Sequence, residues 1–289
     1  MERLAQSCRI FATAFLLCAA TSSLAQAPGA APAPSATEGG AGAAQVPGAV
    51  PAADAPPPVA LRVAIPGNLF ASLEKGVPTG IFLETVDALL KKSGVAPTYL
   101  NMPTGEAIQS LNAGAVAMAT VVVPVPRIKD AAYFSDPIVI EHNIAVTLKD
   151  KGFDLGKVAD LRGRRIGART GYQYPLLQKD PGIVLQRFQT DGEMLRALLF
   201  GAVDVVIISA ISDIYAFRSE GIMTRMEILK TSVGTVPLVA AFSKKQFTKE
   251  SVDAFNRALE EFKNSPEWQD ILERNGVADL VRDWPMVTE

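Results

Sequence analysis

The side chains that most often carry metal or nucleophilic chemistry are nearly absent from this sequence. It contains two cysteines, Cys8 and Cys18, and one histidine, His142. A zinc site needs three or four Cys, His or carboxylate ligands in a close group, and the spacing of these residues provides no such group. A Ser-His-Asp mechanism would depend on His142 alone, and a single histidine is more often structural than catalytic. We therefore predict no metal site and no cofactor.

Net charge argues against nucleic acid as a partner, and length and composition indicate a globular protein of one or two domains. The 289 residues include 28 Lys and Arg against 30 Asp and Glu, a net charge of −2. A protein that binds phosphate backbones carries a clustered basic excess, so nucleic acid is not expected as a partner. The length suits one large domain or two ordinary ones, and 48% hydrophobic and 20% charged residues are typical of a globular protein.

The start of the chain has the order of a secretory signal. Arg3 and Arg9 precede the apolar run 10–20, and small residues follow it. The run is about half the ~20 residues that a helix needs to span a bilayer. We predict that residues 1–25 are a signal peptide and that the protein is exported to the periplasm. Removal of both cysteines with the signal would leave a mature chain without thiols.

The next segment, residues 26–59, has the composition of a linker. Within 28–58, eight Pro, eleven Ala and five Gly fill most positions, and only Glu38 and Asp54 are charged. Such a segment has too few large apolar side chains to offset the entropy of ordering. We predict an unstructured tether that acts as a spacer, with a partner-docking arm as the alternative.

Beyond residue 59, the spacing of apolar residues alternates between strand and helix. A helix–glycine–strand unit occurs twice, at 107–116 and 194–204, with Gly114 and Gly201 at the junctions. Alternating strands and helices predict parallel sheets flanked by helices, and the repeated unit suggests two similar lobes with a ligand cleft between them. The predicted strands are 61–65, 97–102, 116–123, 165–168, 183–188 and 203–208, and the predicted helices are 80–93, 104–111, 172–178, 192–200, 249–263 and 267–275.

One run in the middle of the chain resembles a known family. In residues 125–137, Arg127 is followed by Phe-Ser-Asp-Pro at 134–137, similar to the signature of bacterial family 3 extracellular solute-binding proteins. These proteins are receptors for polar amino acids and related compounds in ABC importers. The resemblance covers 61–283 and implies an α/β fold of two lobes, the type 2 periplasmic-binding-protein fold, with two crossover strands as hinge. Further motifs in the family's order lie at 80–84, 111–114, 160–163, 166–171 and 201–204.

The resemblance also implies how the chain divides. Lobe 1 would comprise residues 60–144 and 243–289, and lobe 2 would comprise residues 145–242. The crossover strands would fall near 143–148 and 238–243, where the chain passes from one core to the other.

Ligand-binding residues are implied in both lobes. Arg127 matches the arginine that binds the ligand carboxylate, because a guanidinium offers a planar fork of donors; an ion pair with Asp130 is its alternative. Thr120 falls where the family places a small hydroxyl near the ligand, with a buried strand threonine as the alternative. The other implied ligand-binding residues are Leu69, Phe70, Thr104 and Val122 in lobe 1 and Tyr172, Gln173 and Ser209 in lobe 2.

Two pairs among these residues have a specific expected geometry. Tyr172 and Gln173 follow Gly171 at the start of a predicted helix, where exposed backbone N–H groups can bind an anion. Phe70, beside Leu69, would either cover the ligand with its ring or pack in the core of its lobe.

Several positions depart from the family pattern. Ser209 replaces the aspartate that pairs with the ligand ammonium in amino-acid receptors, and a hydroxyl cannot neutralise a buried ammonium. Asp213 follows one helical turn later, but we expect helix geometry to direct it elsewhere. Thr104 replaces a wall aromatic and Val122 replaces a hydroxyl. These changes predict an apolar, roomy pocket that favours acids without an α-amino group.

The sequence thus predicts a monomeric periplasmic solute-binding protein rather than an enzyme. It would close around a small carboxylate-bearing ligand and deliver it to an inner-membrane ABC permease. One alternative is an enzyme on the same fold, similar to periplasmic dehydratases of prephenate-like acids, with Arg169 and Asp213 as the nearest acid–base candidates. The other is an accessory protein that docks on an exported partner.

Deletion of residues 28–58 tests the assignment of the linker. We expect the melting temperature of the remaining protein to be unchanged, because the deleted segment lacks an apolar set that could pack on a folded surface. Thermal unfolding followed by circular dichroism compares the two proteins. A clear drop in melting temperature would show that the segment packs against the folded part.

Overall fold

The computed structural model describes residues 61–219, 221–282 and 284–288, and the predicted signal peptide and linker lie outside them. The strands are β1 (Leu61–Ile65), β2 (Ser72–Glu74), β3 (Val77–Thr79), β4 (Pro97–Asn101), β5 (Met118–Val122), β6 (Ala132–Phe134), β7 (Val139–Leu148), β8 (Ile166–Arg169), β9 (Leu185–Phe188), β10 (Val205–Ser209) and β11 (Met226–Ser243). The α-helices are α1 (Ile81–Lys92), α2 (Thr104–Ala113), α3 (Pro175–Gln178), α4 (Asp191–Leu199), α5 (Ser212–Ser219), α6 (Lys249–Lys263) and α7 (Pro266–Arg274). Short 3₁₀ helices cover Pro126–Ile128, Val158–Leu161 and Ile222–Arg225.

Local sequence accounts for most of these boundaries. β1 and α6 have the predicted bounds, and the other predicted elements agree within a few residues. α6 begins after Thr248, whose side chain accepts a hydrogen bond from the N–H of Ser251, a typical helix cap. α2 ends at Gly114, which adopts a left-handed backbone with φ of 75°. By contrast, β2, β3 and β6 have three residues each and are too short to give a periodic signal.

One helix begins later than predicted. The helix expected from Tyr172 is the single turn α3, which starts at Pro175. Proline is favoured in the first turn because its fixed φ suits a helix and its missing N–H needs no partner there. Tyr172 and Gln173 therefore lie in the loop before α3, and the prediction that they occupy a helix N-terminus is wrong.

The sheet contains two regions of parallel strands. The described strands follow the order β4-β1-β5-β11-β7-β10-β8-β9, and β6 pairs with the end of β11. In the first sheet region β1 is parallel to β4 and β5; in the second sheet region β8 is parallel to β9 and β10. β2 and β3 form a separate hairpin. The predicted α/β class with parallel strands is confirmed.

The two sheet regions are joined by the long strands β7 and β11. These strands pair antiparallel, from Leu148 opposite Met226 to Val139 opposite Leu238. β7 also pairs with β10, and the last part of β11 pairs with β5. The predicted crossover residues lie within these two strands, while the assignment of every other residue to one lobe stays a prediction.

Helices and strands bury a largely apolar core. At the end of β11, the ring of Phe242 lies edge-on to the rings of Phe247 and Phe255, with centroids 5.1 Å away in each case. This edge-on geometry is the one that aromatic pairs prefer, and it fixes the start of α6 on the first sheet region. Among the described residues, no helix has the length and apolar character needed to cross a bilayer.

The C-terminal segment, residues 284–288, packs against the second sheet region. Trp284 is only 4% exposed, and its ring N–H donates to the carbonyl of Leu280 at 3.2 Å. Ser232 of β11 donates its N–H to Pro285 at 2.7 Å and accepts from the N–H of Val287 at 2.9 Å. Val287 is buried with side chains of the second sheet region. The end of the chain therefore fastens the region around α7 to the middle of β11.

Substitution of Trp284 tests this contribution to stability. We expect Trp284→Ala to lower the free energy of unfolding by about 3–5 kcal/mol, because a large buried side chain is replaced by a cavity. Met286 lies in the same segment but is 42% exposed, so Met286→Ala should change that free energy by less than about 0.5 kcal/mol. Urea unfolding followed by circular dichroism measures both. Equal effects would contradict the packing of Trp284.

Candidate functional site

The residues implied by the sequence lie at or near the carboxyl ends of the parallel strands. In open α/β sheets, ligands bind beyond these ends, because the loops that follow the strands meet at one edge. The first sheet region contributes Leu69, Phe70, Thr104, Thr120, Val122 and Arg127, and the second sheet region contributes Arg169, Tyr172, Gln173, Ser209 and Asp213.

On β5, the two implied ligand-binding side chains already make contacts within the protein. Thr120 is buried and its hydroxyl donates to the carbonyl of Ala64 on β1 at 3.1 Å, so only acceptor capacity is left for a ligand. Val122 is buried among apolar side chains. Val121 between them has a left-handed backbone with φ of 54°, which is rare for a β-branched residue. Such strain is often found at binding sites, and here it falls within the strand that leads to Arg127.

The loop after β1 is packed tightly on α1. Phe70 is only 7% exposed and belongs to the main core, so it packs within the first sheet region. The carbonyl of Phe70 accepts N–H groups from Phe82 and Leu83 at 3.0 and 3.2 Å. Gly80 allows this approach, because a Cβ there would lie 2.5 Å from the carbonyl oxygen of Leu69. Leu69 itself is half-buried.

Thr104 and Arg127 follow β4 and β5 respectively. Thr104 is the exposed first residue of α2. Arg127 is the middle residue of the 3₁₀ helix Pro126–Ile128, and the buried side chain of Ile128 anchors this turn to the first sheet region. The turn thus has a fixed backbone position directly after the carboxyl end of β5.

At the end of β10, Ser209 contacts an acidic side chain. The N–H of Ser209 donates to Oδ2 of Asp213 at 2.7 Å. The expectation that helix geometry directs Asp213 elsewhere is wrong: α5 starts at Ser212, so Asp213 lies in its first turn and its carboxylate folds back over the strand end.

The environment of Asp213 makes its carboxylate titratable near neutral pH. Burial raises its pKa to about 7, the Ser209 amide opposes that shift, and the charges of Asp191 and Glu141 add to it. The cation of Arg169 acts in the opposite direction but more weakly. Asp213 therefore gains or loses its proton near pH 7, so the charge of a bound ligand could determine whether its carboxylate is ionised.

The loop after β8 borders this carboxylate. Arg169 forms an ion pair with Asp191, with Nε 3.1 Å from Oδ1, and donates from Nη1 to the carbonyl of Gln189 at 2.6 Å. Tyr172 is 47% exposed; partial burial raises its pKa, and the nearby charge of Asp213 raises it further. Arg187 donates at 2.8 Å to the carbonyls of both Arg169 and Tyr172, which holds the loop in place. Gln173 is exposed beside Tyr172.

Sequence reasoning missed Glu141, a buried acid on β7. Its Oε1 accepts three hydrogen bonds, from the N–H of Ile211 at 3.1 Å and from the N–H and hydroxyl of Ser212 at 3.0 Å each. Burial raises the pKa of Glu141, and these hydrogen bonds oppose the shift. The available signal was a run of three polar residues, Glu141 to Asn143, inside a strand whose other residues are mostly apolar. The neighbouring His142 is also buried on β7.

Together these groups can bind a small polar solute that carries charge. Among the residues that the structure describes, no three His, Cys, Asp or Glu side chains form a group that could hold a metal ion. The charged groups at the strand ends are instead suited to charge-assisted hydrogen bonds.

Comparison with known proteins identifies the family. Residues 61–277 match the model of bacterial extracellular solute-binding proteins, family 3. No curated protein matches the chain. Among similar solved structures, the L-cystine solute receptor of Neisseria gonorrhoeae in its unliganded open conformation has 17% identity and a TM-score of 0.65, covering 78% of this chain and 95% of that one. The second substrate-binding domain of a putative amino acid ABC transporter from Streptococcus pneumoniae has 21% identity and a TM-score of 0.61, covering 74% and 98%.

These similarities agree with the topology described above. The solved structures support the fold, and the predicted type 2 periplasmic-binding fold, with two lobes joined by crossover strands, is confirmed. The family consists of solute-binding proteins, which confirms a binding protein rather than an enzyme. Because the match extends over well more than half of the 289 residues, the chain belongs to family 3 of the bacterial extracellular solute-binding proteins.

Proposed function

We propose that this protein is a monomeric periplasmic receptor that captures a small carboxylate-bearing, amino-acid-like solute and delivers it to an inner-membrane ABC permease. The solute would lie between the two sheet regions, and the protein would close on it by bending at β7 and β11, the usual motion of such two-lobed proteins. Family membership supports the receptor role, and the names of similar structures, which include amino-acid and cystine receptors, support the solute class.

The single observation that carries the ligand class is the Asp213 carboxylate at Ser209. The family resemblance assigns the acceptor of the ligand ammonium to the position of Ser209, where a hydroxyl would leave an ammonium without a counter-charge. Asp213 brings a carboxylate to the backbone of that residue, 2.7 Å from its N–H. A solute with both charges would then have two partners, Arg127 for its carboxylate and Asp213 for its ammonium. This argues against the preference for acids without an amino group, which assumed that Asp213 is directed elsewhere.

Other implied residues have more limited roles in this proposal. Tyr172 is exposed beside Asp213 and could place its ring against the solute, and Gln173 could add a hydrogen bond. Thr120 offers only its acceptor lone pairs. Phe70 and Val122 act by shaping the floor under the site, since both are buried.

Substitution of Arg127 tests the carboxylate contact. A thermal-shift screen of the mature protein with the L-amino acids and their 2-oxo acids first identifies a solute that raises the melting temperature. We expect Arg127→Ala to weaken calorimetric binding of that solute at least about a hundredfold, because loss of one partner of a buried ion pair costs about 3–5 kcal/mol. Lys129→Ala, in the same turn, is the matched control and should bind normally. Unaltered affinity of Arg127→Ala would refute the contact.

The pH dependence of binding tests the ammonium contact. With a pKa of about 7 in the free protein, Asp213 must lose its proton before it can pair with an ammonium. The affinity for an amino acid should therefore fall about tenfold per pH unit below pH 7, whereas a 2-oxo acid of the same side chain should bind better as pH falls. Asp213→Asn should remove both slopes. Calorimetric titrations from pH 5.5 to 8 measure them, and a flat amino-acid profile in the unmodified protein would contradict the role of Asp213.

A further inference from the structure

Glu141 links the strand that joins the two sheet regions to the helix that carries Asp213. It lies on β7 opposite Val236 of β11, and only 5% of it is exposed. From there its side chain reaches the start of α5, where Oε1 accepts the N–H groups of Ile211 and Ser212 and the hydroxyl of Ser212. Glu141 therefore connects two elements that are far apart in sequence.

The start of α5 needs such an outside acceptor. The first N–H groups of a helix have no partner within it, and a polar residue just before the helix usually accepts one of them. Ile211 precedes α5 and has no acceptor in its side chain. Asp213, in the first turn, uses Oδ2 to accept the N–H of Ser209. Glu141 thus takes the place of the missing cap, and it does so from another strand.

The second carboxylate oxygen of Glu141 distinguishes this contact from an ordinary cap. Oε2 is buried and makes no hydrogen bond within the described residues. An unpaired buried oxygen is unfavourable, and a residue that served only to cap a helix could be replaced by one without it. The Glu141 carboxylate also lies near Asp213, and its charge raises the pKa of Asp213.

We propose that Glu141 is a positioning residue, which holds the first turn of α5 so that the Asp213 carboxylate lies at Ser209 and couples that carboxylate to the joining strand β7. A change in the backbone of β7 would move the Glu141 side chain, and with it the start of α5. The charged and titratable groups around Asp213 are Glu141 from β7, Arg169 from β8, Tyr172 from the following loop and Asp191 from α4. The role of Asp213 in ligand binding rests on the proposed function, but its position does not.

The test therefore uses the mature protein without ligand. The carboxyl ¹³C signals of aspartate-labelled protein are followed through a pH titration, and the Asp213 signal is assigned by its loss in Asp213→Asn. Backbone amide exchange is measured in parallel at Ser209, Ile211 and Ser212. Variants are Glu141→Gln, which keeps an acceptor oxygen but removes the charge, and Glu141→Ala, which removes both.

For Glu141→Gln we expect the titration midpoint of Asp213 to fall by roughly half a pH unit, because a like charge has been removed. For Glu141→Ala we expect, in addition, at least about tenfold faster exchange at Ile211 and Ser212 and a changed Ser209 amide signal, because these amides lose or shift their acceptors. Asp160→Ala is the matched control: Asp160 accepts the N–H groups of Gly156 and Lys157 at another helix start, and its loss should leave Asp213 unaffected.

An unchanged Asp213 midpoint in Glu141→Gln would overturn the proposal, and that variant decides if Glu141→Ala does not fold. Unchanged exchange at Ile211 and Ser212 in a folded Glu141→Ala would also overturn it. If the midpoint shifts but no amino acid binds at any pH, the proposed ligand class fails while the positioning role of Glu141 stands.

Discussion

The antiparallel pairing of β7 with β11 is the interaction on which the other elements depend. The first sheet region is bonded to one end of this pair and the second sheet region to the other. The pairing is irregular around Ser232, where the register shifts twice. The buried hydroxyl of Ser232 lies 2.8 Å from the carbonyl of Gly234 and 3.2 Å from that of Asn143, so the irregular turn of the strand still has its polar groups satisfied. The C-terminal segment then bonds to the backbone of Ser232 itself, which fastens a third part of the chain at the same place.

The polar groups near this pair bring two carboxylates near each other, that of buried Glu141 and that of half-buried Asp213. Burying one carboxylate is unfavourable, and a second like charge nearby makes ionisation of both harder. Backbone N–H groups offset part of this cost: one from Ser209 for Asp213, and two from Ile211 and Ser212 for Glu141. The remaining imbalance is available to a bound cation. Under the proposed function, a ligand ammonium would relieve this imbalance.

The first sheet region has a different character at the site. Its implied polar group Thr120 already bonds to Ala64, and Phe70 and Val122 are part of the core. Under the proposed function, contact with a ligand carboxylate in this region would fall to the turn after β5 that contains Arg127. The two sheet regions therefore contribute unequally: one offers a shaped apolar floor with a basic turn, and the other offers a titratable acidic edge.

Sequence alone determined the features that depend on neighbours along the chain. The period of apolar residues placed β1 and α6 at their observed bounds, and ordered motifs around Arg127 pointed to the family. Contacts between distant residues could not be obtained in this way. Asp213 was expected to point elsewhere because a residue one helical turn after Ser209 would face another direction if both lay on one helix. The chain instead bends between β10 and α5, and this bend brings the Asp213 carboxylate back to the end of the strand. Glu141 contacts Ser212, 71 residues away in sequence, and its role exists only because β7 pairs with both β10 and β11. Local periodicity decides which elements form, but the packing of those elements decides which charges meet.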